Sequence, residues 1–145
     1  MKNGKASELY LAEVRAAVEE AVKFPNLEPH ARELSAALDK LIAVTSHLIG
    51  ISQRKGHEHF LADATLYLEL FGIVSIAWQW LLQEIAVQKA LEKELPSGEH
   101  NFYQGKFYAF RYFFSYELPR IEGLIKRLMN SDGLTVEMDE TFFQD

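Results

Sequence analysis

Arg111 is the residue whose type and position most need an explanation. It falls on the helical stripe Phe107, Arg111, Phe114, Leu118 and Ile121, which is otherwise apolar. A guanidinium turned into a core needs a partner, because an unpaired buried charge is strongly unfavourable. Antiparallel pairing across the turn at residues 97–98 sets Glu84 opposite Arg111, and Glu84 lies on an apolar stripe of its own helix. The expectation is a buried Arg111–Glu84 ion pair, within about one helical turn of register. The same register sets Glu69 near Lys126. Such a pair either anchors an anionic ligand or holds two helices in register, and the second role is the expectation here.

The other constellations carry less chemistry. His57 and His59 flank Glu58, and one more ligand would make a metal site, but a solvated interhelical loop is the commoner setting for such a cluster. None of the five histidines has a Glu three residues before it, which leaves no di-iron Glu-x-x-His pattern. Arg54 and His59 match the loose Arg-to-His spacing of HEPN-type helical ribonucleases, where a histidine acid–base sits beside a cationic phosphate holder. Gly56 stands between them and interrupts the helix that would present both. No glycine-rich phosphate loop and no Gly-x-Ser-x-Gly elbow is present. The expectation is no catalytic, cofactor-binding or metal-binding residue in this chain.

These side chains must be positioned by helices. Leu11, Val14, Val18 and Ala21 recur at helical period and predict a first helix over about 5–23. Pro25 and Pro29 mark the break after it. A second helix over about 29–55 carries Leu34, Leu38, Leu41, Thr45 and Leu48 on one stripe, with Arg54 and Lys55 at its negative end and Gly56 beyond. A third, over about 60–94, carries two apolar stripes, so it is covered on more than one side. A fourth, over about 100–131, opens with nine of the chain's 18 aromatic residues, between Phe102 and Tyr116. Aromatics at helical spacing usually pack into a core. Pro119 should kink this helix near Ser115. The acidic tail from Leu134 to Asp145 has Phe142 and Phe143 as its large anchors. The predicted fold class is therefore all-α: one domain over 1–145, an antiparallel up-down-up-down four-helix bundle with a short acidic C-terminal tail.

Composition agrees. The chain has 145 residues, 48% of them apolar, enough to bury a core. Its net charge of −6 is the opposite of the basic excess that nucleic-acid binding needs. The absence of cysteine excludes disulfides and thiolate metal sites and fits a cytoplasmic protein. The N-terminus does not read as a signal peptide, and the apolar run Leu66–Leu82 is 17 residues long and holds Glu69, which favours a buried helix over a membrane span.

Two long motifs carry a resemblance. The first is the stretch 62–80, which includes Ala64-Thr65-Leu66-Tyr67-Leu68 and Leu70-Phe71-Gly72. The second is the stretch 102–119, with Lys106, Arg111, Tyr112, Phe113, Leu118 and Pro119. Together they resemble the C-terminal domain of long acyl-CoA dehydrogenases, in the group that includes the methylmercaptopropionyl-CoA dehydrogenases. The start through Val14 and the closing Asp139 to Phe142 are similar to that domain's two ends, so the likeness spans nearly the whole chain. The resemblance implies that Lys106, Tyr112, Phe113, Pro119, Phe71 and Gly72 are packing residues. It also implies that FAD, the catalytic glutamate and the acyl-CoA tunnel belong to a dehydrogenase body that this chain lacks. The heavy aromatic load at Tyr108, Phe110, Tyr112 and Tyr116 departs from the family pattern, where smaller residues stand.

The function expected on this basis is an accessory domain of a flavin-dependent fatty acyl-CoA dehydrogenase, with a structural or docking role. Its partner would be the dehydrogenase body or a second copy of itself, not nucleic acid. The alternatives are a free-standing interaction or small-ligand module with a pocket lined by Tyr and Trp, and, more remotely, the HEPN-like ribonuclease.

Overall fold

The second helix begins where the sequence supplies a start signal. Pro29 occupies a first-turn position that needs no N–H donor, and Glu28 beside it complements the positive end of the dipole. The computed structural model of the chain describes residues 2–130 and 133–144. Four helices come first: α1 (Lys2–Ala21), α2 (Glu28–Lys55), the short α3 (His57–Ala62) and α4 (Ala64–Leu91). They are followed by α5 (Ser97–Tyr112), α6 (Ile121–Met129) and α7 (Leu134–Glu137). No strand occurs among the described residues.

Gly56 ends α2 at φ 91°, a conformation that favours glycine, and its N–H bonds to the Ser52 carbonyl. The expected third helix is two helices. The chain breaks at Asp63, whose N–H turns back to the Phe60 carbonyl, while its own carbonyl accepts the first bond of α4 from Tyr67. Aspartate is a poor residue for a helix interior and a favourable one at a positive helix end. Here its carboxylate is buried and lies 3.6 Å from the Arg127 guanidinium, which ties the junction to α6.

The expected kink at Pro119 is a change of helix type. Pro119 has no N–H to offer the Ser115 carbonyl. The preceding Phe113–Glu117 widens into a π-helical turn closed by the Leu118 N–H on the Phe113 carbonyl, and Leu118–Arg120 tightens into a 3-10 turn before α6. The helical rod closes at Met129 with Asn130 extended, and residue 131, its expected end, lies outside the described residues.

Side-chain pairs fix the directions. Tyr10 and Thr45 line one groove while Arg15 pairs with Asp39, so α1 and α2 run oppositely. Asn26 with Gln88, and Thr45 with Tyr67, set α4 against α2. Trp80 with Phe113, and Glu69 with Arg120, set the last rod against α4. The core lies between them, built from Val14 and Ala17, Leu34, Leu38 and Leu41, Leu70, Val74 and Leu81, and Phe110, Phe114 and Leu128. α2 and α4 are each long and apolar enough to cross a membrane by length and composition.

The tail departs from its reading. It folds into α7, which contacts α3, and a 3-10 turn at Glu140–Phe143. Phe142 is 74% exposed and Phe143 is also exposed, so neither anchors the tail to the core.

Candidate functional site

A groove of about 300 Å³ opens where α1, α2 and α4 meet. Ala6, Tyr10 and Leu11 come from α1, Leu41, Ile42, Thr45 and Ser46 from α2, and Tyr67 and Phe71 from α4. Helical spacing accounts for each set, since steps of three and four return to one face. The Tyr10 ring stacks on Phe71 at 4.9 Å and meets Trp78 edge-on at 5.6 Å. Its hydroxyl bonds Ser75 Oγ at 2.8 Å. Burial pushes the Tyr10 phenol above its ordinary pKa, and the Ser75 bond works in the opposite direction.

The second hydroxyl pair has a defined polarity. Thr45 Oγ1 lies 2.7 Å from the Leu41 carbonyl, which can only accept, so Thr45 donates there. Its single hydrogen is then committed. The 2.8 Å bond between Thr45 and Tyr67 must be donated by the Tyr67 hydroxyl. Among the described residues no charged side chain lines this groove.

The expected Arg111–Glu84 pair does not form. Glu84 is buried, at 1% exposure, but Arg111 is exposed. The core-facing stripe runs through Phe107 and Phe110 of α5 and on to Phe114 in the π turn, and Arg111 follows Phe110 in the chain, turned away from that stripe. Its guanidinium lies over Phe107 at 5.9 Å and over Tyr108 at 5.4 Å from the ring centroids. Glu84 accepts instead from Gln88 Nε2 at 3.2 Å, and burial pushes its carboxyl pKa up. Glu69 pairs with Arg120, at 3.1 Å, and not with Lys126. A one-residue choice between steps of three and four on α5 produced the difference.

The residues expected to pack divide. Phe113 packs partly buried against the core, and Lys106 holds its ammonium 5.5 Å from the Phe102 centroid. Phe71 lies against Tyr10 at the groove. Tyr112 is exposed and stacks on Tyr116 at 4.7 Å, so it does not join the core, and Pro119 is exposed. Gly72 is not required by packing among the described residues: a Cβ there would meet none of them within 4 Å.

The histidine cluster disperses. His57 Nδ1 lies 3.4 Å from Ser52 Oγ, while His59 turns into a small crevice with Leu48, Ile51, Asp63, Arg127 and Gly133. Arg54 is exposed on the last turn of α2. No group of three potential metal-ligating side chains occurs among the described residues. His30 packs 4.7 Å from Phe110 and 5.3 Å from Phe114. Burial lowers its pKa, the Arg111 charge adds to this, and a hydrogen bond to the Asn26 backbone opposes both.

Tyr10, Thr45 and Tyr67 were not recognisable as one site from sequence. Thr45, a hydroxyl on a leucine stripe, was the available signal. A family model described as Acetyl-CoA dehydrogenase C-terminal like matches residues 10–139. No curated protein matches the chain.

Proposed function

We propose that this chain, which belongs to the Acetyl-CoA dehydrogenase C-terminal like family, docks against an acyl-CoA dehydrogenase body and performs no chemistry of its own. Family membership makes it an accessory domain of that enzyme family. In this reading the four rods form an up-down-up-down bundle, α2 and α4 are its core helices and not membrane spans, and the protein is cytoplasmic. The flavin, the acyl-CoA and the chemistry of fatty acyl-CoA oxidation reside on the partner.

The outward face of α4 carries the proposal. Leu68 is 67% exposed and Ile76 50% exposed, and Gly72 stands between them at steps of four. Glycine inside a helix costs about 0.5–1 kcal/mol relative to alanine. Nothing among the described residues requires Gly72, because the space beyond it is open. A bare backbone patch between two exposed aliphatic side chains suits the close approach of another element, and exposed apolar surface of this kind supports a contact with a partner.

The test is co-elution. The wild-type chain should co-elute with an acyl-CoA dehydrogenase body from the same source. Gly72→Leu should fold and melt no lower than the wild type, because leucine is the better helix former, but elute alone. If the wild type stays a separate monomer, or if Gly72→Leu still co-elutes, this docking face is wrong.

A further inference from the structure

The groove between α1, α2 and α4 has features that a packing defect lacks. Its volume of about 300 Å³ is at the small end of ligand pockets, which run from about 300 to 1,000 Å³. Its walls combine apolar surface from Leu11, Leu41, Ile42 and Phe71 with the aromatic residues Tyr10 and Tyr67. A few placed polar groups among apolar walls are what orients a small molecule.

The polarity of those groups selects the ligand. Among the described residues no Lys, Arg, His, Asp or Glu lines the groove, so a charged ligand would lose its hydration without gaining a counter-charge from them. The Tyr67 hydroxyl already donates to Thr45, whose hydrogen is held by the Leu41 carbonyl. The Tyr67 oxygen therefore keeps acceptor capacity and has no further hydrogen to give. A ligand that satisfies it must bring a donor.

We propose that this groove is a binding site for a small neutral molecule with an apolar body and one O–H or N–H donor: an alcohol, a phenol or a primary amide. The donor bonds the Tyr67 oxygen and the apolar body lies between Phe71 and the leucine wall of α2. This inference does not rest on the docking proposal, which concerns the outer face of α4 and Gly72. Failure of one leaves the other standing.

The test uses the isolated full chain and three probes of equal chain length: n-octanol, methyl octanoate and octanoate. Binding is read by amide chemical shifts at Thr45 and Tyr67 and by the fluorescence of Trp78, whose ring meets Tyr10 at 5.6 Å. n-Octanol should bind, methyl octanoate should bind about threefold to tenfold more weakly for want of the hydrogen bond, and octanoate should not bind measurably. Tyr67→Phe should remove the preference for the alcohol. Thr45→Val frees the Tyr67 hydrogen and should reverse the preference toward the ester. Ser46→Trp, a change at an exposed lining residue, should block n-octanol and methyl octanoate without altering the melting temperature. The site is refuted if n-octanol gives no saturable shift up to its solubility limit. It is also refuted if octanoate binds as well as n-octanol, or if Tyr67→Phe keeps the alcohol preference.

Discussion

His59 Nε2 lies 2.8 Å from the point where a Cβ on Gly133 would stand. Gly133 also holds φ 70°, in the left-handed region, as it leads into α7. Two penalties therefore meet at one residue, a steric one and a conformational one. Gly133→Ala should lower stability in urea unfolding by more than the cost of the left-handed backbone alone, about 1–2 kcal/mol. Adding His59→Ala should recover only the steric part. Full recovery in the double variant would show that the backbone conformation imposes no strain.

Arg111 tests the corrected placement of the fourth rod. An exposed guanidinium over two aromatic rings contributes on the order of 0.5–1 kcal/mol. Breaking a buried ion pair would instead cost about 3–5 kcal/mol. Arg111→Leu should therefore change the unfolding free energy by no more than about 1 kcal/mol. A loss several times larger would restore the buried pairing with Glu84.

Glu84 and His30 give opposite pH dependences. The Glu84 pKa is raised by burial, so its stabilisation is complete below the ordinary carboxyl range and is lost as pH rises through the folded value. Glu84→Gln should raise stability at pH 7 by about 1 kcal/mol, with a smaller effect near pH 4. The His30 pKa is lowered, chiefly by burial, so its contribution is present above the ordinary imidazole range and is lost as pH falls below it. His30→Gln should leave stability near pH 8 little changed and flatten the loss between about pH 6.5 and 5. Thermal unfolding across pH 4–8 checks both. A Glu84→Gln gain that shrinks as pH rises would contradict the assigned direction.

Gly72 can be probed for stability as well as for docking. With no neighbour within 4 Å of its Cβ position, Gly72→Ala should stabilise the isolated chain by about 0.5–1 kcal/mol through helix propensity alone. Chemical denaturation of the two chains gives the answer. A destabilised variant would mean that the backbone at Gly72 is already in close contact.

Much of the helical framework was legible because local signals act over a few residues. Pro29, the Arg54–Lys55 pair and Gly56 bracket α2 as their chemistry requires. Pro119 marked the disturbed segment, although only the structure shows that the widened π turn precedes the proline. Asp63 was harder to read, because an aspartate can sit in a helix or end one, and its pairing with Arg127 across the fold decides which.

The sequence by itself determined the helical class, the absence of a recognisable catalytic motif and the family resemblance. All three rest on residue types in order along the chain. The tertiary structure decided which way each helix face turns. On α5 the difference between steps of three and four put Phe110 in the core and Arg111 in solvent, and no local signal distinguishes them. The same rotation of rigid rods brought Tyr10, Thr45 and Tyr67, from three helices, around one groove. A helix face is set by everything that packs against it, so its final orientation is a property of the assembled core and not of any one segment.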